Sequence, residues 1–364
     1  MADTADRREA RTAWAFMAPF LILLAVFFFY AAARSAWFSL TDYDLFSPPQ
    51  FVGLANYIAL LSDPLFANAL VNSVSFAVLV TTTQTVLSML PAVFLNRIAH
   101  AQGLARTVFY FPSIVSSTVM TLIFLWLFQR QGIATGVTNW LFNHGALIVT
   151  FLAVFLAVQA ALVLNARRKY DDVRPVDPFF LLFSIAAGVI ITFVLRVLQV
   201  LPVGDNGEAI SWLNTGQTFL FMPVTLWSIA VMNIFTTVPV MMLLYLAGLQ
   251  NIPGSLYEAA EIDGATRWQM FRKITVPLLN PVTFAVVTLG LIGTLQMFDQ
   301  VAILGAAAPI ESRVTLAYYT YYNTFPPGGT PRIGMASAGA IVLGSITLII
   351  VFLQRRFGIT DKGL

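Results

Sequence analysis

Eight stretches of roughly twenty residues or more, almost free of charge, dominate this chain, and that length is what an α-helix needs to cross the hydrocarbon layer of a bilayer. They run over about 13–33, 69–95, 107–128, 146–164, 178–200, 218–246, 278–304 and 335–354. The run at 218–246 exceeds one crossing and contains Pro223 and Pro239, so it tilts, kinks or begins as an interfacial segment. Charged residues make up only 10% of the chain, against about 25% in soluble domains, too few to hydrate a folded exterior. The expectation is an all-α integral membrane protein with about eight transmembrane helices.

Lysine and arginine set the orientation. With a cytoplasmic N-terminus the inner segments hold Arg7, Arg8, Arg11, Arg97, Arg106, Arg167, Arg168, Lys169, Arg174, Arg267, Arg272, Lys273, Arg355, Arg356 and Lys362, which is 15 of the 20 basic residues. Arg34, Arg130, Arg196, Arg313 and Arg332 fall outside or near outer helix ends. Both termini are therefore expected in the cytoplasm. The first apolar run is too long for the core of a cleaved signal peptide and reads as a retained span. A net charge of +3 spread over short loops makes no nucleic-acid stripe.

Several chemistries lack their residues. Cysteine is absent, and His100 and His144 stand in no ligand-spaced cluster, so no metal site and no catalytic residues are expected. The three lysines, Lys169, Lys273 and Lys362, lie in no phosphate-binding loop, so ATP cannot be held by that device and no cofactor is expected in the chain itself. An ion-coupled carrier would place acids within the spans, where only Arg196 and Asp299 occur, both toward outer ends. A membrane-embedded glycan or lipid transferase would need acids, histidines or arginines gathered at one face. These two classes remain the alternatives.

One cytoplasmic segment, 250–277, is unlike the other loops. Ser255 with Glu258 three residues later reads as a capping box, opening a helix over 256–262 that carries Glu258, Glu261 and Asp263. Gly264 permits a turn, and a second amphipathic helix over 266–274 sets Trp268, Phe271 and Ile274 on one side before Pro277 opens the next span. An anionic inner leaflet repels the acids of the first helix, so a protein partner fits better than lipid.

The segment resembles the EAA loop of ABC importer permeases, matching Glu258, Ala259, Ala260, Gly264, Ile274 and Pro277 at the family spacing, with Val276 in place of leucine. Ala247–Pro253, Asp263-Gly264-Ala265, Phe51–Tyr57 and Gly136–Asn139 resemble the sugar-uptake branch, the maltose-type carbohydrate importers. The resemblance implies a type I ABC importer permease fold in a prokaryotic cytoplasmic (inner) membrane. It also implies a second homologous permease, a dimer of ATP-binding subunits that uses ATP and magnesium, and an extracytoplasmic substrate-binding protein. Glu258, Ala259, Ala260, Asp263, Gly264, Ala265 and Pro277 are then the residues that couple to the ATPase. By the same resemblance the substrate-path candidates are Thr236, Thr237, Val240, Thr294, Gln296 and Met297, whereas Ala307-Ala308-Pro309 departs from the Gly-Gly-Pro of many sugar permeases. Tyr318, Tyr319, Tyr321 and Tyr322 are expected mainly as interfacial anchors.

The chain thus divides into a cytoplasmic N-terminus 1–12, three spans over 13–145 with an outer loop 34–68, and a hairpin 146–208 inserted relative to six-span members. Core permease helices follow over 209–354, including the coupling loop 250–277, and 355–364 form a cytoplasmic C-terminus.

Overall fold

The computed structural model describes residues 2–97, 102–168, 177–201 and 211–357. His100, Lys169, Arg174 and Lys362 lie outside them. Seven stretches among the described residues are helical and apolar enough to cross a membrane. They include α1 (Thr12–Phe38) and α2 (Pro64–Arg97). The eighth predicted span, 107–128, is two helices, α3 (Gln102–Ile114) and α4 (Ser117–Phe128). Pro112 lies just before the break, and the Ser116 hydroxyl accepts from the Val119 amide at 3.4 Å to open the second piece.

The helices α5 (Gly145–Arg167) and α6 (Pro178–Val197) belong to a compact unit of residues 124–213. Asp177 caps α6 by accepting from the Phe179 amide. The pair packs closely at Gly188, where an added Cβ would come 2.9 Å from the Phe151 ring, and Ser184 donates to the Gln159 side chain at 2.7 Å. In the same unit the Trp212 indole donates to Thr138 at 3.0 Å, and Phe128 stacks edge-on at 5.3 Å, so the Gly136–Asn139 stretch meets Trp212.

The second unit holds α1, α2 and α3 and, among others, α7 (Val224–Gln250), α8 (Gly254–Ile262), α9 (Arg267–Met270), α10 (Asn280–Leu295), α11 (Leu316–Thr324) and α12 (Ile333–Phe357). Helix α7 begins later than the apolar run suggests. Residues 218–223 instead form a two-stranded turn, Thr218–Phe219 paired with Met222–Pro223, across Leu220 at φ +58°. The run predicted over 278–304 also divides, because α10 ends at Leu295 and a short helix resumes at Asp299.

At the centre of this unit α7 packs between α2 and α10. Ala92 and Leu95 of α2 meet Met242, Tyr245 and Leu249 of α7, with Leu279 and Val286 closing the cluster. Lipid tails are as apolar as leucine, so such contacts hold by close fit rather than by expelling water. Small residues allow it: a Cβ at Gly248 would meet Val282 at 2.6 Å, and one at Gly290 would run into the Gln84 amide. In contrast, α1 has no buried residue in its most apolar window.

The connections expected on the outer side carry more structure than turns alone. Strands Thr41–Asp42 and Gln50–Phe51 pair with Thr41 opposite Phe51. Gly53 turns at φ +60° so that the Asn56 amide reaches the Ser39 and Thr41 carbonyls, both at 2.9 Å, and Tyr57 donates to the Ser39 hydroxyl at 2.8 Å. This accounts for the Phe51–Tyr57 stretch as a latch. The hairpin is pinned to α12, since the Tyr43 carbonyl accepts from Ile333 at 2.8 Å. Two of the four tyrosines expected at the lipid interface are buried instead: Tyr318, and Tyr319, which donates to the Asp63 carboxylate at 2.6 Å. Burial, reinforced by that carboxylate, pushes the Tyr319 phenol well above its ordinary range. Arg313, expected at an outer end, is also buried.

Candidate functional site

The segment 250–277 is a helix, a left-handed turn and a second helix. Pro253 is the N-cap of α8, and its carbonyl accepts from the Leu256 amide at 3.2 Å. Ser255 therefore sits inside the helix, and the predicted Ser255–Glu258 capping box is absent. The reason is Pro253 itself: its fixed φ starts the helix early, so Gly254 is already helical. A capping box does form at the second helix, where the Thr266 hydroxyl accepts from the Gln269 amide and the Gln269 side chain accepts from the Thr266 amide.

Gly264 closes α8 at φ +77°. Its amide donates to the Glu261 carbonyl at 3.0 Å, and the Ala265 amide donates to the Ala260 carbonyl at 2.9 Å. That pair of bonds is a Schellman motif, which satisfies carbonyls a helix end otherwise leaves open. It gives Ala260, Gly264 and Ala265 defined roles in one turn. No atom outside the neighbouring residues lies within 4 Å of a Cβ built on Gly264, so only backbone strain opposes a side chain there. Gly264→Ala is accordingly expected to cost about 1–2 kcal/mol of local stability. Hydrogen exchange over Gly254–Thr266 would accelerate roughly tenfold, and unchanged exchange would contradict the left-handed turn.

The two arms of this segment are joined, because the Tyr257 hydroxyl lies 2.9 Å from that of Thr275. Arg267–Met270 passes through a π-helical turn, Phe271–Thr275, into Val276–Leu278, where Pro277 occupies the first turn, and then α10. Trp268 and Phe271 stack at 5.5 Å, the pairing expected from the amphipathic pattern. Glu258, Ala259 and Asp263 stand exposed on the segment, as does Ile262 at 87%. A fully exposed isoleucine among carboxylates on a rigid helix presents an apolar contact ringed by charge.

Within the spans, a cavity of about 300 Å³ opens where α7 faces the break between α3 and α4. Thr236, Thr237 and Val240 line it, together with Ser113 and Ser117 beside the break and Gln300. Irregular backbone at membrane depth is tolerated where it borders such a cavity. Among the described residues every lining side chain is neutral. Three of the six substrate-path candidates thus meet at one place. The other three do not line it: Thr294 and Met297 are buried in packing, and Gln296 is exposed past the end of α10.

Behind the cavity lies a polar cluster. The Thr237 hydroxyl donates to the Gln84 side chain at 2.8 Å, and the Asn233 amide donates to Gln300 at 3.3 Å. Thr294 reaches the Thr81 hydroxyl at 3.3 Å. Hydropathy and motif spacing do not single out Gln84, Ser113, Ser117 or Gln300. The one signal for Gln84 is the polar run Thr81–Thr85 inside an otherwise apolar span.

The family model described as the binding-protein-dependent transport system inner membrane component matches residues 173–358. The chain is similar to the lactose transport system permease protein LacF of Rhizobium radiobacter, at 28% identity across 94% of this chain and 92% of that protein. It is likewise similar to the trehalose/maltose transport system permease protein MalF of Thermococcus litoralis, at 27% identity across 95% and 94%. Among solved structures, a bacterial ABC transporter for import of the acidic polysaccharide alginate aligns with a TM-score of 0.65 at 16% identity, covering 98% of each chain. That likeness concerns the fold.

Proposed function

The chain belongs to the binding-protein-dependent transport system inner membrane components, and from that premise we propose that it forms the translocation path of an ATP-driven importer for a neutral carbohydrate or related polyol. The observation that carries this reading is the mechanical continuity from α8 to the cavity. The exposed helix α8 is tied through Tyr257 and Thr275 to the π-helical turn that leads into α10 and is joined through the short link 251–253 to α7, which lines the cavity.

In this reading a dimer of ATP-binding subunits receives α8, and ATP and magnesium belong to that dimer. Closure of the dimer moves α8, and α7 and α10 follow as rigid elements that open the cavity to one side and then the other. A substrate-binding protein docks outside on the latched hairpin. A second, homologous permease completes the path, with α1 lying against it and the lipid. Both termini lie in the cytoplasm, and the hairpin 146–208 serves as scaffold.

Carbohydrate is favoured by the lining. Hydroxyls and amides from Ser113, Ser117, Thr236, Thr237 and Gln300 offer both donors and acceptors, as a polyol requires. An anionic substrate would need a paired cation once dehydrated, and the described lining residues include none. The relatives named for lactose and for trehalose and maltose point the same way.

The test is uptake by proteoliposomes holding the full complex, using labelled lactose, trehalose, maltose and malto-oligosaccharides. Uptake of at least one is expected to require ATP and loaded binding protein. Thr236→Val is expected to lower it about fivefold, since that hydroxyl bonds only the Met232 and Asn233 carbonyls and its loss leaves no side chain unpaired. An assembled complex that imports none of the panel contradicts the reading.

A further inference from the structure

Five aromatic rings gather where α10 gives way to the outer connection. The Phe298 ring lies 6.3 Å from Tyr318 and 5.0 Å from Tyr321. Tyr318 stands 6.0 Å from Tyr321 and 6.4 Å from Tyr322, and Tyr321 stands 5.3 Å from Phe325. The innermost ring is fixed from one side: the Arg313 guanidinium sits 4.6 Å from the Tyr318 centroid. Arg313 is in turn held by the Ala308 and Val301 carbonyls, each at 3.2 Å. Exposure rises outward along the cluster, from 8% at Tyr318 to 43% at Tyr321 and 61% at Phe325.

Anchoring aromatics at a membrane interface form a belt around the protein. These rings instead pack on one another in a single group with a rigid base. Aromatic side chains so held have little rotational freedom left to lose when something covers them. Their faces carry the negative lobe of a quadrupole, which attracts the weakly positive C–H edges of a sugar ring. Exposed Gln296, two residues before Phe298, adds an amide that can donate and accept. Gln300, two residues after it, lines the cavity. The stretch 296–300 therefore runs from the aromatic group to the candidate substrate site.

We propose that Tyr321 and Phe325, backed by Phe298, Tyr318 and Tyr322, form a stacking platform that receives carbohydrate rings before they enter the cavity. This rests on the carbohydrate reading above and adds an outer subsite to it. The occupant is a pyranose ring, stacked on its C–H face and hydrogen-bonded along its edge.

The experiment compares proteoliposomes of the full complex carrying the double variant Tyr321→Ala/Phe325→Ala with the ring-preserving pair Tyr321→Phe/Phe325→Tyr. The probe is whichever of labelled maltose, trehalose, lactose or malto-oligosaccharide the wild type imports, at saturating loaded binding protein. The alanine pair is expected to assemble, keep its ATPase stimulation and import about tenfold more slowly, with the ring-preserving pair within about twofold of wild type. Unchanged uptake by the alanine pair overturns the platform. Failure of the alanine pair to assemble also overturns it, in favour of a contact between subunits. If the wild type imports none of the probes, the carbohydrate reading falls first and the platform with it.

Discussion

Glu258→Ala is expected to leave the importer complex assembled and its basal ATPase intact, while stimulation by loaded binding protein falls at least about tenfold. The separation of these effects follows from where Glu258 stands. It is exposed on α8, a full turn beyond the first helical residue, and the N-cap is Pro253. Removing it therefore costs the permease fold little, about 0.5 kcal/mol or less for an exposed surface position. At an interface, truncating one member of a hydrogen-bonded charge pair costs about 2–5 kcal/mol, which is more than a factor of ten. Thermal melting and size-exclusion profiles check the first half, and ATP hydrolysis with and without loaded binding protein checks the second. Normal stimulation in the variant would remove Glu258 from the coupling contact.

Gly290→Leu is expected to abolish recovery of folded protein. An added Cβ there strikes the Gln84 amide nitrogen and falls 3.1 Å from the Thr81 methyl, both on the facing helix α2. Gln84 is buried and bonded to Thr237, so it cannot swing away without breaking that bond. Even Gly290→Ala should cost about 1–3 kcal/mol through overpacking. Because the first atom struck is the end of a side chain, Gln84→Ala in the same chain is expected to restore most of the loss from Gly290→Ala. Melting temperatures of the two single variants and the double variant in detergent form the cycle. A Gly290→Ala protein as stable as wild type, or one that Gln84→Ala fails to rescue, would contradict the close approach of α10 to α2.

The membrane class and most spans are legible in the sequence because an uncharged run long enough to cross a bilayer is rare in a fold that must face water. The interruptions of those runs are harder to read. The break at Val115–Ser116 is set by local bonding that hydropathy averages over, with Pro112 as the only advance sign. The end of α10 at Leu295 has no proline or glycine cap: Gln296 stops the helix at φ −92° and ψ 11°, and its amide still donates to the Ile292 carbonyl at 3.2 Å.

The turn at Gly264 is the most legible element of the candidate site, since a glycine shortly beyond the Glu-Ala-Ala triplet meets the demand for a left-handed residue at the end of α8. The start of that helix is ambiguous, because Ser255 fits a capping box as well in sequence as Thr266 does. Only the helix onset imposed by Pro253 decides between them. The cavity is half legible. Thr236, Thr237 and Val240 share a helix and can be carried over together, whereas Ser113, Ser117 and Gln300 reach it through the tertiary packing of other elements. Arg313 and Tyr319 look like outer-loop residues by position alone. Their burial depends on a partner far along the chain in one case, Asp63 for Tyr319, and on backbone carbonyls in the other.

The most direct test of the account is to purify this chain with its companion subunits, reconstitute them in lipid, and measure ATP hydrolysis with no binding protein, with empty binding protein, and with binding protein loaded with an imported sugar. The expected result is several-fold stimulation by the loaded form above the other two, since α8 would transmit substrate arrival outside to the ATPase inside. If an ATPase co-purifies but its rate ignores the loaded binding protein, or if none co-purifies with the chain, the coupling role of α8 is contradicted.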